Sequence, residues 1–252
     1  DRDGDLDLFV VRYVDWSFGN HVRCGTSTMR DYCHPKHFQG IPDLLYRNNG
    51  DGTFSEVSSE LGVALPSGKG LGVALGDLNR DGWTDVYVAN DSVASFLFRN
   101  EEGKSLDEIG LLSASALNEH GETFAGMGVD FEDYDNDGWP DIFVTALSLE
   151  GFVLFRNNRD ETFSDVSATS GVRKASFYLS GWGTKIVDYD NDGLRDVFVA
   201  NSHVMRGIED TVRTLRYAQP LLMLRNGGSE FTDVTGEMGP EFRRDWVARG
   251  AA

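Results

Sequence analysis

The chain has 252 residues, of which 40% are hydrophobic, and a formal net charge of −18 at neutral pH. This composition supports a packed globular core, and the negative charge disfavours nucleic acid and anionic membrane as partners. The sequence contains no run of about 18 apolar residues, so it predicts no membrane span.

The first predicted unit covers residues 1–59. It begins with the aspartate-rich stretch DRDGDLD and ends with LLYRNNGDGTFSEV, which is typical of two short strands joined by a polar turn. Between these parts lies a first insertion, residues 13–41, which breaks the regular pattern.

The first insertion is basic and aromatic within an acidic chain, and it holds three of the five histidines. Long loops on a rigid scaffold are where binding residues usually occur. The alternative is that its aromatic residues only pack against one another and that its charges are solvated. As ligand-binding residues we expect Trp16, Arg23, Arg30, His34 and His37.

The only two cysteines, Cys24 and Cys33, lie in this insertion with eight residues between them. We predict a disulfide that fixes the loop, as is usual in oxidising compartments. The alternative is a zinc site formed by both cysteines with His34 and His37, although a C-x-x-C motif is lacking.

Three further units follow, at residues 70–110, 125–168 and 180–236. Each has a glycine-containing strand A, an acidic loop, an alternating apolar strand B, and strands C and D joined by a polar turn. The loops are 56 and then 55 residues apart and begin at Asp77, Asp133 and Asp188. Four antiparallel strands in each repeat predict an all-β propeller of four-stranded blades.

The three complete acidic loops share the pattern D-x-[DN]-x-D-G-x-x-D. Side chains at positions 1, 3, 5 and 9 and the carbonyl of position 7 can converge on one hard cation, and oxygen ligands at this density favour calcium. The glycine at position 6 permits the sharp turn. The alternative is a polar turn that merely favours Asp, Asn and Gly.

The sequence therefore predicts three complete calcium sites and one truncated site. Their ligands would be Asp77, Asn79, Asp81, Trp83 and Asp85; Asp133, Asp135, Asp137, Trp139 and Asp141; Asp188, Asp190, Asp192, Leu194 and Asp196; and, in the truncated loop, Asp1, Asp3, Asp5 and Asp7.

A second insertion, residues 202–220, interrupts the fourth unit between strands B and C. It adds His203 and Arg206 to the candidate ligand-binding residues. Because both insertions join strand B to strand C, we expect both to project from the face opposite the acidic loops. A short helix is predicted from the spacing of Ile208, Val212 and Leu215, stopped before Pro220.

Residues 246–252 resemble strand A of a further blade, so both ends of the chain would cut the repeat. We expect about four blades that form part of a longer, seven-bladed parent. The alternative is a closed four-bladed ring in which 246–252 supply strand A to the first blade.

The units resemble FG-GAP repeats, also called VCBS repeats, which are the blades of integrin-type propellers. The stretches LLYRNNGDGTFSEV, FAGMGVDFEDYDNDG and GWGTKIVDYDNDG are similar to those of the cartilage acidic protein family, whose bacterial relatives carry ASPIC and UnbV domains. The resemblance to integrins implies ligand binding on the face built from the B-to-C and D-to-A connections. The broad group includes adhesion receptors, lectins and some polysaccharide lyases, so the fold alone does not settle the function.

From these observations we expect a secreted, periplasmic or cell-surface module, stabilised by calcium, that recognises a protein or a glycan in adhesion. One alternative is a polysaccharide lyase or hydrolase that uses His and Arg residues on the insertion face, with His120 and Glu122 as a further possible acid and base. Another is a non-catalytic scaffold for a C-terminal domain. We expect recognition without catalysis.

Overall fold

Short alternating apolar segments pair locally and build antiparallel sheets in the computed structural model, which describes residues 1–25 and 30–251 of the chain.

The first sheet has three strands, in the order β1 (Leu8–Val10), β4 (Leu44–Asn48) and β5 (Phe54–Glu56). A two-stranded antiparallel sheet, β2 (Cys24–Gly25) and β3 (Arg30–Asp31), lies in the first insertion between β1 and β4. Within the described residues, β1 pairs with β4 alone.

Each of the other three sheets has four antiparallel strands, and strands that are consecutive in sequence are neighbours in the sheet. This is the strand order of a propeller blade, so the predicted all-β propeller fold is confirmed. The strands are β6 (Gly70–Gly76), β7 (Asp85–Asn90), β8 (Phe96–Asn100) and β9 (Leu106–Glu108); β10 (Val129–Glu132), β11 (Asp141–Val144), β12 (Val153–Asn157) and β13 (Phe163–Asp165); and β14 (Gly181–Val187), β15 (Asp196–Asn201), β16 (Leu222–Asn226) and β17 (Phe231–Asp233).

The helices are short and lie in the connections. They are α1 (Ser58–Leu61), α2 (Val172–Ser176), α3 (Ile208–Thr211) and α4 (Pro240–Arg243), with 3-10 turns at Pro35–His37 and Thr235–Glu237. Within the described ranges the longest has five residues, too few to cross a membrane.

The helix predicted in the second insertion is shorter than its apolar spacing indicated. α3 ends at Thr211, and Val212 already has an extended backbone. Ile208 and Leu215 are both buried, so the apolar positions do pack inward, but Leu215 reaches the core from a loop instead of from a helix.

The core lies between the sheets, because strand B of each complete blade is covered on both faces. Every residue of β7 and of β11 is buried. One apolar cluster runs through the three complete blades, and a second joins the first sheet to the blade β6–β9. The largest fully buried side chains include Tyr87, Phe98, Phe143, Phe152 and Phe155.

A glycine in strand A lets neighbouring blades approach closely. A Cβ atom on Gly72 would lie 2.2 Å from the carbonyl oxygen of Met127, and one on Gly128 would lie 1.7 Å from that of Trp182. No side chain fits at such distances. The recurring G-x-G motif of strand A therefore permits close backbone contact between neighbouring blades.

The segment predicted as a further strand A forms an isolated bridge between Gln219 and Trp246 and not a regular strand. Its backbone lies beside the fourth blade, where the Gly183 N–H donates to the Arg249 carbonyl at 3.0 Å. Ala252, the last residue of that prediction, lies outside the described residues, as do residues 26–29 of the first insertion.

Candidate metal loops and an opposite-face cleft

The first aspartate of each acidic loop shapes the turn. Asp133 accepts hydrogen bonds from the N–H groups of Asp137 (2.9 Å) and Gly138 (2.7 Å). Asp77 and Asp188 accept the same two bonds in their own loops. The carboxylate at position 1 thus holds the loop closed around its own oxygens.

The last aspartate of each loop is buried and ties the loop to strand C. Asp141 accepts from the N–H of Tyr134 (3.1 Å) and from that of Asn157 (2.8 Å). Asp85 and Asp196 make the equivalent bonds, the latter to Tyr189 and Asn226.

The asparagine partner in strand C was not predicted as part of the loop. Asn157 donates its side-chain Nδ2 to the Pro140 carbonyl of its own loop (3.0 Å) and to the Leu78 carbonyl of the preceding loop (2.9 Å). The signal in the sequence is the dipeptide Arg-Asn, which ends strand C in all four units.

In each of two loops, carboxylate oxygens of the same loop lie close together. Three oxygens lie within 4.8 Å of one another in each of two triads: Asp133, Asp135 and Asp141, and Asp188, Asp190 and Asp196. Within the described residues, the loop that begins at Asp77 forms no such triad, because its position 3 is Asn79, whose Nδ2 donates to Asp81 (2.9 Å).

Burial and like charge both act against ionisation in these loops. The pKa of Asp141 is raised to about 8, mainly by burial and further by the charges of Asp135 and Asp137, although two N–H donors lower it. Burial also raises the pKa of Asp85 to about 6 and raises that of Asp196. A cation among these oxygens would relieve both effects, and an all-oxygen donor set suits a hard cation such as calcium.

The remaining predicted ligands have identifiable places. The position-5 aspartates Asp81, Asp137 and Asp192 accept hydrogen bonds from the N–H groups of the position-7 residues Trp83, Trp139 and Leu194. In the truncated loop, Asp7 accepts from the Asn48 N–H (2.9 Å), and Asp3 and Asp5 donate their N–H groups to Asp1 and Asp3.

Position 4 of the loop, which the pattern treats as variable, connects one loop to the next. Arg2 lies 5.0 Å from the ring of Trp83, and Arg80 lies 5.6 Å from that of Trp139. Asn136 donates its Nδ2 to the Gly193 carbonyl (2.8 Å). The three position-4 residues, Arg2, Arg80 and Asn136, have a left-handed backbone, with φ between 57° and 67°.

Each insertion is closed at its base by an isolated antiparallel bridge. Val14 and Gly40 form an isolated bridge at the base of the first, and Ser202 and Ala218 form one at the base of the second. Each strand B begins at an acidic loop, so its far end, where the insertion starts, lies at the opposite face of the blade.

A cleft of about 1050 Å³ lies between the two insertions. It brings together four of the seven predicted ligand-binding residues, Trp16, Arg23, Arg30 and Arg206. His34, His37 and His203 do not line it. The His34 ring instead accepts the Lys36 N–H (3.2 Å), and the buried His203 accepts the Met205 N–H (3.0 Å).

The other polar candidates lie apart from the loops. Burial lowers the pKa of His203 and so favours its neutral imidazole. His120 is exposed in the connection between β9 and β10, with its Nε2 3.7 Å from the Glu119 Oε1, and Glu122 is exposed in the same connection.

Cys24 and Cys33 form a disulfide, with their Cα atoms 5.2 Å apart. It joins β2 to the residues that follow β3 and so fixes one wall of the cleft. Because both sulfur atoms are used in this bond, the alternative zinc site with His34 and His37 has lost its thiolate ligands.

A family model described as FG-GAP-like repeat matches residues 1–88, 77–144 and 133–199. Cartilage acidic protein 1 from Mus musculus is 24% identical over 83% of the chain, that from Homo sapiens 25% over 83%, and that from Xenopus tropicalis 28% over 65%. The matched regions span 31%, 30% and 26% of those relatives, so the chain covers less than a third of their length.

Among solved structures, an Agrocybe aegerita lectin described as recognising non-reducing terminal N-acetylglucosamine is 16% identical, with a TM-score of 0.38. The match covers 84% of this chain and 64% of the lectin chain. The strand order and the repeat match define the fold, independently of this weaker similarity.

Proposed function

Because the chain belongs to the FG-GAP-like repeat family, we propose that it is a calcium-stabilised propeller module that recognises a protein or a glycan through its insertion face. The observation that carries this proposal is the division of the molecule into two faces. Acidic loops lie on one face, and the cleft between the insertions lies on the other.

Calcium in this proposal is structural. The two carboxylate triads are its best-supported sites, and the loop that begins at Asp77 and the loop of Asp1, Asp3, Asp5 and Asp7 would complete the predicted four. When bound, calcium would neutralise carboxylates that burial and mutual repulsion destabilise. At a free calcium concentration ten times the dissociation constant, each site contributes about 1.4 kcal/mol to stability.

We place the module outside the cytoplasm, secreted, periplasmic or on a cell surface. The Cys24–Cys33 disulfide supports this location, since such bonds persist in oxidising compartments. Calcium loops of this kind also suit the high calcium concentration of extracellular fluid.

An array of immobilised glycans and extracellular proteins tests recognition. In the presence of calcium, the wild-type chain should bind a subset of the array, and the double variant Trp16→Ala with Arg206→Ala should lose that binding. The control Lys104→Ala changes an exposed residue in the C-to-D turn, on the acidic-loop face, and should bind normally.

Equal melting temperatures of the three proteins would show that the double variant is folded. Binding that survives in the double variant but is lost in Lys104→Ala would assign recognition to the wrong face and overturn the proposal.

A further inference from the structure

The two insertions differ in charge from the rest of the molecule. Together, residues 13–41 and 202–220 contain six Lys and Arg residues and four Asp and Glu residues, whereas the rest of the chain contains 17 and 37. The cleft between them is therefore a locally basic surface on a strongly acidic protein, and it would concentrate a negatively charged ligand.

Three guanidinium groups line this cleft, those of Arg23, Arg30 and Arg206. Among the described residues, none of the three forms an ion pair with a carboxylate. Arg206 lies 5.9 Å from the ring of Tyr217, which limits its orientations. A guanidinium presents a planar pair of N–H donors that matches a carboxylate.

Aromatic side chains at the cleft are exposed to an unusual degree. Trp16 has 48% of its surface exposed and Tyr32 has 74%. The Trp16 Nε1 donates to the His21 ring (3.2 Å), which holds the indole in place. Rigid, amphipathic rings of this kind supply stacking surface for a ligand that is apolar on one face and polar at its edge.

Asp31 and Asp210 also line the cleft. They place hydrogen-bond acceptors beside the arginine donors, so the cleft could bind hydroxyl groups as well as an acid. This combination fits a sugar that carries a carboxylate better than it fits a simple anion, which offers no donor to an aspartate.

The size of the cleft favours a small ligand over a folded protein. Its volume of about 1050 Å³ is close to the upper limit of the range for small-molecule sites, roughly 300–1,000 Å³. The disulfide in its wall limits the loss of conformational freedom on binding.

We propose that this cleft binds a uronate-containing oligosaccharide, with Arg23, Arg30 and Arg206 on its carboxylates and the exposed aromatic rings against its sugar faces. This inference rests on the proposed recognition function and names the ligand class for it.

The test is calorimetric titration of the whole chain, with calcium present, using matched saccharide pairs. The acidic probes are β-1,4-tetraglucuronate and α-1,4-tetragalacturonate, and each is compared with its neutral parent of the same linkage. Calcium is held in excess, and the heat of calcium binding to each probe is subtracted. A sulfated tetrasaccharide and hexaglutamate test the two rival acidic ligands.

We expect at least one uronate to bind tenfold or more tightly than its neutral parent. Arg206→Gln should reduce that affinity at least tenfold. The control Arg213→Gln changes an arginine of the same insertion that does not line the cleft and should leave the affinity unchanged. Melting temperatures would confirm that both variants are folded.

Equal affinity for acidic and neutral saccharides would overturn the uronate assignment, and so would tighter binding of the sulfated saccharide or of hexaglutamate. Absence of binding to both uronates would overturn it as well. The recognition function would still stand in each case if the array identifies another ligand that is lost in the cleft double variant.

Discussion

Asp43 is almost completely buried just before β4, and one of its carboxylate oxygens lacks a partner. Its Oδ1 accepts the Arg12 N–H (2.7 Å), whereas Oδ2 forms no hydrogen bond within the described part of the chain. Burial raises the pKa of Asp43 to about 6, and the N–H and charge of Arg12 lower it only partly.

The raised pKa means that the folded state binds the Asp43 proton more tightly than the unfolded state does. The contribution of Asp43 to the free energy of unfolding is therefore fully present below about pH 4, and it is lost as the pH rises through about 6. Asp43→Asn should raise stability by about 1–2 kcal/mol at pH 7.5, after allowance for solvent screening, and by nothing at pH 4. Thermal unfolding at the two pH values measures this difference.

The exposed Asp15 provides the control, since Asp15→Asn should not change the melting temperature at either pH. An equal effect of Asp43→Asn at pH 4 and at pH 7.5 would contradict the assignment.

Gly128 tests the contact between blades at the level of a single atom. Gly128→Ala places a Cβ in a space already filled by the Trp182 carbonyl, and a backbone atom cannot move aside as a flexible side chain can. We expect a loss of about 2–3 kcal/mol in urea denaturation. Gly236→Ala is the matched control, because nothing lies within 4 Å of that Cβ position; similar losses in both variants would argue against the packing explanation.

At the scale of elements, the acidic loops are linked in series through their fourth positions. The interactions of Arg2, Arg80 and Asn136 each reach from one loop to the following loop. The loops are therefore parts of one surface that spans several blades.

Asn136→Ala should destabilise the protein because it removes the hydrogen bond to the Gly193 carbonyl. Asn191→Ala is a strict control: Asn191 has the same position in its loop and the same left-handed backbone, so both variants carry the same backbone strain. We expect Asn136→Ala to cost about 0.5–1.5 kcal/mol more than Asn191→Ala in urea unfolding. Equal losses would mean that the link between loops contributes no stability.

The sequence predicts those elements whose signals are local. Alternation and spacing located the strands and the acidic loops, since both depend on neighbouring residues. The asparagine of strand C and the residue at position 4 escaped prediction because their partners lie in another strand or another blade. The helix in the second insertion was overestimated because the same apolar spacing can be satisfied by one helical turn followed by a buried loop residue.

At the scale of the whole molecule, the cleft shows the limit of prediction most clearly. Its two walls come from insertions that are more than 150 residues apart in sequence. Each insertion can be recognised in the sequence because it interrupts the regular repeat, but their meeting depends on how the first and fourth sheets are arranged.

Net charge is a second property of the whole molecule, and it affects stability. A formal charge of −18 opposes compaction through self-repulsion, and the acidic loops concentrate part of that charge on one face. Calcium ions in the two triads would add four positive charges and change the formal charge to −14.

The most direct test of the account is the melting temperature with and without calcium. With the two triads filled at ten times the dissociation constant, the gain is about 3 kcal/mol, which corresponds to about 6–12 °C for a chain of this size. Magnesium should produce a smaller shift, and the double variant Asp133→Asn with Asp188→Asn should lose most of the response to calcium. A melting temperature that is the same in calcium and in chelator would contradict the claim that calcium organises these loops.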